Sequence, residues 1–502
     1  MDSKLDQIIY HEYTEQIMDS KNSQMNPSTK NQRKHQKYID FYDNIETPDK
    51  EYWGIGIENE SYIMLKSPVK VSKEFVIKNH RRERYSVDYW VNYKNDPLMM
   101  TLEKVPDRIL IPQYINGYQF QKTDISGEHI TLYTKEVTPN PKFNGKTINK
   151  LLIETSPVFN TLFDKNMIYD GDTFEFTTFN FYKTTTQSAV EELKEIKEKF
   201  LKEINDKKIF KEEVVFPDHN YGFAKFLTNP NNLAICNNGT YHINITLPTS
   251  MNEKGEIKYP DNFKKVHANA IRAIQWIEPL LVALYGSPDI LHILNPVYSG
   301  GSQRLGFSRY IGLGTYDTNT MEKGKLLDTF KYKEKKSYFT ELHKCSPYNP
   351  PETTGYDFNY NKFTKHGIEL RIFDYFPEKY LEHIINLIII VCDFSTTRDI
   401  PPVNETWSKM AVDAINKGSD FRISPREYNE IYNIFGLHNC LWTVFNMNQT
   451  PLHILRRITN CLYHAHRNSP LCKKMSPDMK GISIVDYNSK IKEMFKKDLK
   501  KI

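Results

Sequence analysis

The chain has 502 residues, 39% of them apolar and 13% aromatic, and a formal net charge of +5. That suffices for one large domain with additions or for two to three ordinary ones, and so slight a charge implies no polyelectrolyte partner such as nucleic acid. The six cysteines (236, 345, 392, 440, 461 and 472) show no CxxC spacing, which argues against a zinc site or a disulfide scaffold and for reduced thiols in a cytoplasmic compartment. The most apolar run, Ile384–Val391, is too short to span a bilayer, and the charged N-terminus is unlike a signal peptide.

Residues 1–50 combine a short helical pattern around Leu5–Met18 with the polar stretch KNSQMNPSTKNQRKHQK, which reads as a flexible, mildly basic tail or linker. Residues 54–60 then read GIGIENE. In a strand Glu58 and Glu60 project from the same face. At roughly 5 Å and an effective dielectric of about 20, the two charges repel by about 3 kcal/mol. Either a cation sits between them, for which an oxygen-rich cluster suits magnesium or manganese, or the strand lies at a sheet edge with both acids in water.

Val87–Tyr93, Arg108–Pro112, His129–Tyr133, Lys150–Glu154 and Thr173–Tyr182 are rich in aromatic and β-branched residues, with turn residues between them. They predict one large antiparallel sheet. Ser188 opens a helix with a Ser188–Glu191 capping box. In GTYHINITLP (239–248), His242, Asn244 and Thr246 share one face of a strand, a polar series that a satisfied core histidine alone does not explain. Asp261 is expected to cap a helix running to Tyr285, kinked at Pro279 and ended by Gly286-Ser287-Pro288.

The glycine-rich stretch 300–318 carries Arg304 and Arg309, and suits either close approach to an anion or an ordinary mobile surface loop. GIELRIFD (367–374) predicts a strand with Glu369, Arg371 and Phe373 on one face. Pro377 begins a buried apolar helix through Val391, and prolines 401 and 402 mark a boundary. The expected organisation is an N-terminal segment (1–50), a sheet-rich main domain (51–400) and a helical region (401–502). The final KIKEMFKKDLKKI is expected to pack on its own domain. His464, His466, Cys461 and Cys472 lack partners at ligand spacing.

Six stretches, in order, give the chain a family likeness: GIENE (56–60), LLIETSPV (151–158), YHINITLP (241–248), EPLLVALYGSP (278–288), SQRLGFSRY (302–310) and IELRIFDYFP (368–377). With them the chain resembles the glutamate–cysteine ligase and amidoligase branch of the glutamine synthetase superfamily over roughly residues 51–395. The resemblance implies an α+β fold: a large curved antiparallel sheet forming a catalytic funnel, with helices outside it and a C-terminal helical appendage. It implies ATP and Mg2+ or Mn2+ as cofactors, and a glutamate-like carboxylate and an amine as substrates. Glu58, Glu60, Glu154, His242 and Glu369 would be the metal ligands. Asn244 and Thr246 would face the nucleotide, and Arg371, Arg304 and Arg309 would hold phosphate or the acyl substrate. The activity implied is amide formation through an acyl phosphate. A phosphotransferase on the same fold, or a retired relative that binds nucleotide or serves as a structural or interaction protein, are the alternatives. A homo-oligomer is compatible with the sequence. Relatives carry another acid several residues before the equivalent of Glu154; here GKTINK has none, leaving Glu136 as a substitute or one metal site incomplete.

Overall fold

The computed structural model describes residues 51–79, 97–115, 121–122, 138–139, 148–170, 173–178, 183, 185–227, 233–234, 239–250, 257–310, 315–325, 357–360, 367–436, 447–475 and 482–499. The N-terminal helical pattern and tail, the strands expected at 87–93 and 129–133, and Glu136 lie outside the described residues. In chain order the strands are β1 (Glu51–Ser61), β2 (Ile63–Ser72), β3 (Arg108–Ile115), β4 (Gln121–Lys122), β5 (Thr138–Pro139), β6 (Met167–Asp170), β7 (Thr173–Thr177), β8 (Val214–Val215), β9 (Ala224–Phe226), β10 (Leu233–Ala234), β11 (Thr240–Ser250), β12 (Thr315–Asp317), β13 (Glu322–Lys325), β14 (Phe358–Tyr360) and β15 (Ile368–Asp374).

The expectation of one large sheet is corrected to two principal ones. Six strands form an antiparallel sheet in the order β14-β15-β11-β1-β7-β6, and five form a second in the order β10-β9-β3-β2-β8, where β3 and β9 run parallel. The division falls at Tyr62. Only that residue separates β1 from β2, too few for a hairpin turn, and both edges of β1 are already taken by β11 and β7. The chain therefore leaves one sheet and enters the other.

Period-two alternation gives the six-stranded sheet an apolar face and a polar one. Trp53, Ile55 and Ile57 of β1, Tyr241, Ile243, Ile245 and Leu247 of β11, and Ile368, Leu370 and Ile372 of β15 are all buried in one continuous core. Helices Thr186–Asp206, Pro260–Tyr285 and Leu381–Thr396 belong to the same core. Each fully buried isoleucine or leucine contributes about 1.5–3 kcal/mol, so this interface dominates the stability of the sheet. The opposite face is left for the polar residues.

The helix starts differ from expectation in instructive ways. Thr185, not Ser188, is the N-cap of Thr186–Asp206, its hydroxyl accepting the Ser188 N–H at 3.1 Å. Pro260 takes the first position of Pro260–Tyr285, where its missing N–H costs nothing, so Asp261 falls inside the first turn and acts on the helix dipole rather than as a cap. That helix continues through Pro279. Proline cannot donate to the carbonyl four residues back, and the Gln275 carbonyl accepts the Trp407 indole N–H instead.

Trp407 belongs to Glu405–Lys417, the first helix after the proline pair. It and the helices Pro425–Ile434, Pro451–His466 and Tyr487–Asp498 bury side chains in the same core as the sheet. The last of these packs on its own chain, as expected: Ile491 and Phe495 are fully buried. Asn488 at its start donates to the carbonyls of Gly286 and Gly300 at 2.9 and 3.1 Å and accepts the Ser419 N–H at 3.0 Å. Among the described residues no helix is long and apolar enough to cross a membrane.

Candidate functional site

The polar face gathers its residues through strand register. Glu58 pairs with His242, Glu60 with Thr240, and Gly56 with Asn244 across β1 and β11. On the other edge of β1, Glu60 pairs with Glu175 of β7. Directly opposed residues point to the same side, so one patch collects Glu58, Glu60, Glu175, His242 and Asn244.

β15 joins this patch through a bulge. Tyr241 pairs with Phe373 and Ile243 with Leu370, so Arg371 and Ile372 together face His242. An extra residue reverses the facing of everything beyond it. Glu369, opposite Asn244, and Asp374, opposite Thr240, therefore share the polar face although five residues apart. The expectation that Phe373 would stand beside Glu369 and Arg371 is corrected by the same bulge: Phe373 pairs with Tyr241 on the core side and packs edge-on against Phe376.

The side chains converge. His242 Nδ1 lies 3.1 Å from Glu58 Oε2 and 3.6 Å from Glu369 Oε1, and Nε2 lies 3.4 Å from Glu60 Oε1. Glu58, His242 and Glu369 each offer a ligand atom, all within 4.8 Å of one another, and all three residues are buried. Asn244 Nδ2 donates to Glu58 Oε1 at 3.2 Å, and Thr240 Oγ1 lies 3.2 Å from His242 Nε2. Asn244 thus orients a carboxylate of the cluster. Thr246, opposite Gly54 on the same face, is fully buried.

Two arginines border the group. Arg371 Nη1 donates to Glu369 Oε1 at 3.2 Å, while Arg304 Nε donates to the Arg371 carbonyl at 2.8 Å and places Nη2 3.4 Å from His242 Nε2. Burial, and then the Arg371 charge, pushes His242 well below its ordinary value despite the pull of Glu60 and Glu369. The imidazole is neutral at pH 7, the form that ligates metals. Burial also lowers Arg304, followed by the repulsion of Arg371, and raises Asp374 to about 6.

Other expected residues lie elsewhere. LLIET forms the helix Ile148–Thr155, not a strand, and Glu154 is exposed on it, outside the Glu58–His242–Glu369 group. So short an apolar run reads equally as helix or strand, and Ser156 capping the next helix, Pro157–Lys165, completes a helical pair. Arg309 lies on the helix Gln303–Tyr310, with its side chain outside the described residues. That helix replaces part of the expected loop. Its preceding glycines serve packing: the N–H groups of Gly300 and Gly301 bond to the carbonyls of Asn416 and Ile415 at 2.8 Å, and a Cβ on Gly301 would meet the Ala414 carbonyl at 2.0 Å.

Two acids were missed in the sequence. Glu175 is buried directly opposite Glu60, and its signal is the TFEFT alternation of Phe174 and Phe176 against Thr173, Glu175 and Thr177. Asp374 needed the bulge to be seen. Away from this site, His466 pairs with Asp393 at 2.6 Å and ties two helices together. Cys461 is disulfide-bonded, which corrects the expectation of a reduced thiol there: two sulfurs held at bonding separation pair in a large chain as in a small one. Cys392 and Cys472 are free and buried.

No family model matches the chain. Compared with curated proteins, it is 42% identical over 467 residues to "Uncharacterized protein R704" of Acanthamoeba polyphaga mimivirus, a match covering 90% of this chain and 81% of that protein.

Proposed function

We propose that this chain, which belongs to the same family as the mimivirus protein R704, is an ATP-dependent carboxylate–amine ligase working with magnesium or manganese. The observation that carries this reading is the convergence of Glu58, His242 and Glu369 within 4.8 Å, with Arg371 and Arg304 against them. Two carboxylates and a neutral imidazole, without a thiolate, fit a hard divalent cation. Glu58, His242 and Glu369 would hold one ion, and Glu60 with Glu175 a second. Ions bound there would neutralise charge on the phosphate oxygens.

The chain's own residues account for the remaining needs of phosphoryl transfer, which are positioning and positive charge. Arg371 and Arg304 can bind the equatorial oxygens of the γ-phosphoryl group through paired N–H donors. The largely buried face limits water, which would otherwise hydrolyse an acyl phosphate. In the first step an oxygen of the substrate carboxylate bonds to the γ-phosphorus as the bond to ADP breaks. In the second the amine nitrogen bonds to the acyl carbon, phosphate leaves, and the nitrogen gives up one proton. A glutamate-like acid is the substrate class that the family likeness favours.

The test is to measure ADP and free phosphate with MgATP and panels of acids and amines. A ligase yields equal amounts of both only when an acid and an amine are present together. ADP without free phosphate would instead support a phosphotransferase, and neither product a binding protein.

A further inference from the structure

We propose that Asp374 is a positioning residue: its buried carboxylate fixes the helix start from which Arg304 reaches the Glu58–His242–Glu369 cluster, and so governs phosphate binding without touching the ligand. The inference rests on the reading of Arg304 as a phosphate-binding group.

Asp374 ends β15 and is 1% exposed. Its Oδ1 accepts the Arg304 N–H at 3.0 Å, its Oδ2 accepts the Ser287 N–H at 3.2 Å, and the Ser302 side chain adds a third bond. These contacts sit where helix Gln303–Tyr310 begins. The neighbouring amides are satisfied separately: Gln303 N–H by the Ser287 carbonyl at 2.9 Å and Leu305 N–H by Ser302 Oγ at 3.0 Å. Of these three helix amides, Arg304 N–H goes to a carboxylate, and hydrogen bonds to a charged group are roughly twice as strong as neutral ones.

Arg304 is thereby held at both ends by one strand. Asp374 takes its backbone amide, and the Arg371 carbonyl takes its Nε at 2.8 Å. The guanidinium is left with Nη2 3.4 Å from His242 Nε2. The bulge opposite His242 makes this possible, because without it Asp374 would turn toward the core. An amide in place of the carboxylate would keep the shape but lose one acceptor oxygen. The helix start, and Arg304 with it, would loosen while Glu58, His242 and Glu369 stayed on their strands.

The experiment is a double-mutant cycle on the full chain, reading MgATP affinity by calorimetry and Mn2+ affinity without nucleotide by electron paramagnetic resonance. Asp374→Asn and Arg304→Ala should each weaken MgATP binding by about tenfold, the loss of one charge-assisted contact. The double variant should bind no more weakly than Arg304→Ala alone, because the first residue acts through the second. Mn2+ affinity of Asp374→Asn should stay close to wild type. Effects that multiply in the double variant, or an Asp374→Asn protein that binds MgATP normally, would overturn the positioning role while leaving the ligase reading intact. A wild-type chain that binds no MgATP would overturn both. If Asp374→Asn does not fold, Ser302→Ala, which loosens the same helix start and keeps the carboxylate, takes its place with the same two outcomes.

Discussion

Glu58 stands directly opposite His242 across the β1–β11 ladder, its Oε2 3.1 Å from the imidazole Nδ1. The pair joins strands 184 residues apart in the chain and leaves Glu369 Oε1 3.6 Å from the same nitrogen. Arg371 offsets part of the mutual repulsion of these carboxylates through Glu369, and a divalent cation held between them would offset the rest.

Removing a ligand should therefore separate metal binding from folding. Glu58→Gln should weaken Mn2+ binding by about tenfold or more with little change in thermal stability. Glu175→Gln should weaken the second ion alone. Glu154→Ala should change neither, because that residue is exposed on a helix outside the cluster. Mn2+ titrations of the three variants check this ordering.

His267 predicts a pH dependence of stability. It is fully buried, accepts the Leu247 N–H at 3.1 Å through Nε2, and donates Nδ1–H to the Phe263 carbonyl at 2.8 Å. Burial lowers it from 6.5 to about 4. A group depressed on folding stabilises the native state fully above its unfolded value of about 6.5, and loses that contribution as pH falls through about 4. The total is about 3 kcal/mol. Urea unfolding between pH 7 and 4 should show wild type losing about this much more than His267→Leu; parallel curves would refute it.

Asn488→Ala should destabilise the chain by about 2–4 kcal/mol, since one side chain serves the loop carbonyls of Gly286, Gly300 and Gly301 and the Ser419 amide in a fully buried setting. Denaturant midpoints measure this. Asn488→Asp should not rescue it, because a carboxylate cannot donate to those carbonyls.

Gly367→Ala tests the entry to β15. Gly367 has φ +98°, and a Cβ there would lie 2.4 Å from the Ile245 carbonyl oxygen. The strain should cost about 1–3 kcal/mol and displace Glu369, two residues on. Stability and Mn2+ affinity should fall together in this variant, unlike Glu58→Gln.

Much of the site was legible because alternation within a strand needs no knowledge of its neighbours. Glu58 and Glu60, or His242 and Asn244, share a face by spacing alone. What alternation cannot show is register. The β15 bulge exchanged Phe373 for Asp374 on the polar face, and the break at Tyr62 sent β2 into a second sheet. LLIET carries no periodicity long enough to tell helix from strand, so Glu154 reads equally as a strand residue, and the acid in TFEFT meets Glu60 only through register. Gly300 and Gly301 suggest close approach to an anion, but the approaching atoms are carbonyls of this chain, and glycine alone does not distinguish these from a ligand.

The decisive measurement is Mn2+ binding by electron paramagnetic resonance on the full chain, with and without ATP. Wild type should bind the ion, more tightly once ATP is added, and both Glu58→Gln and His242→Gln should weaken that binding by about tenfold or more while remaining folded. A wild-type chain that ignores Mn2+, or variants that bind it equally well, would contradict a metal-dependent ligase and leave the acidic cluster without its proposed role.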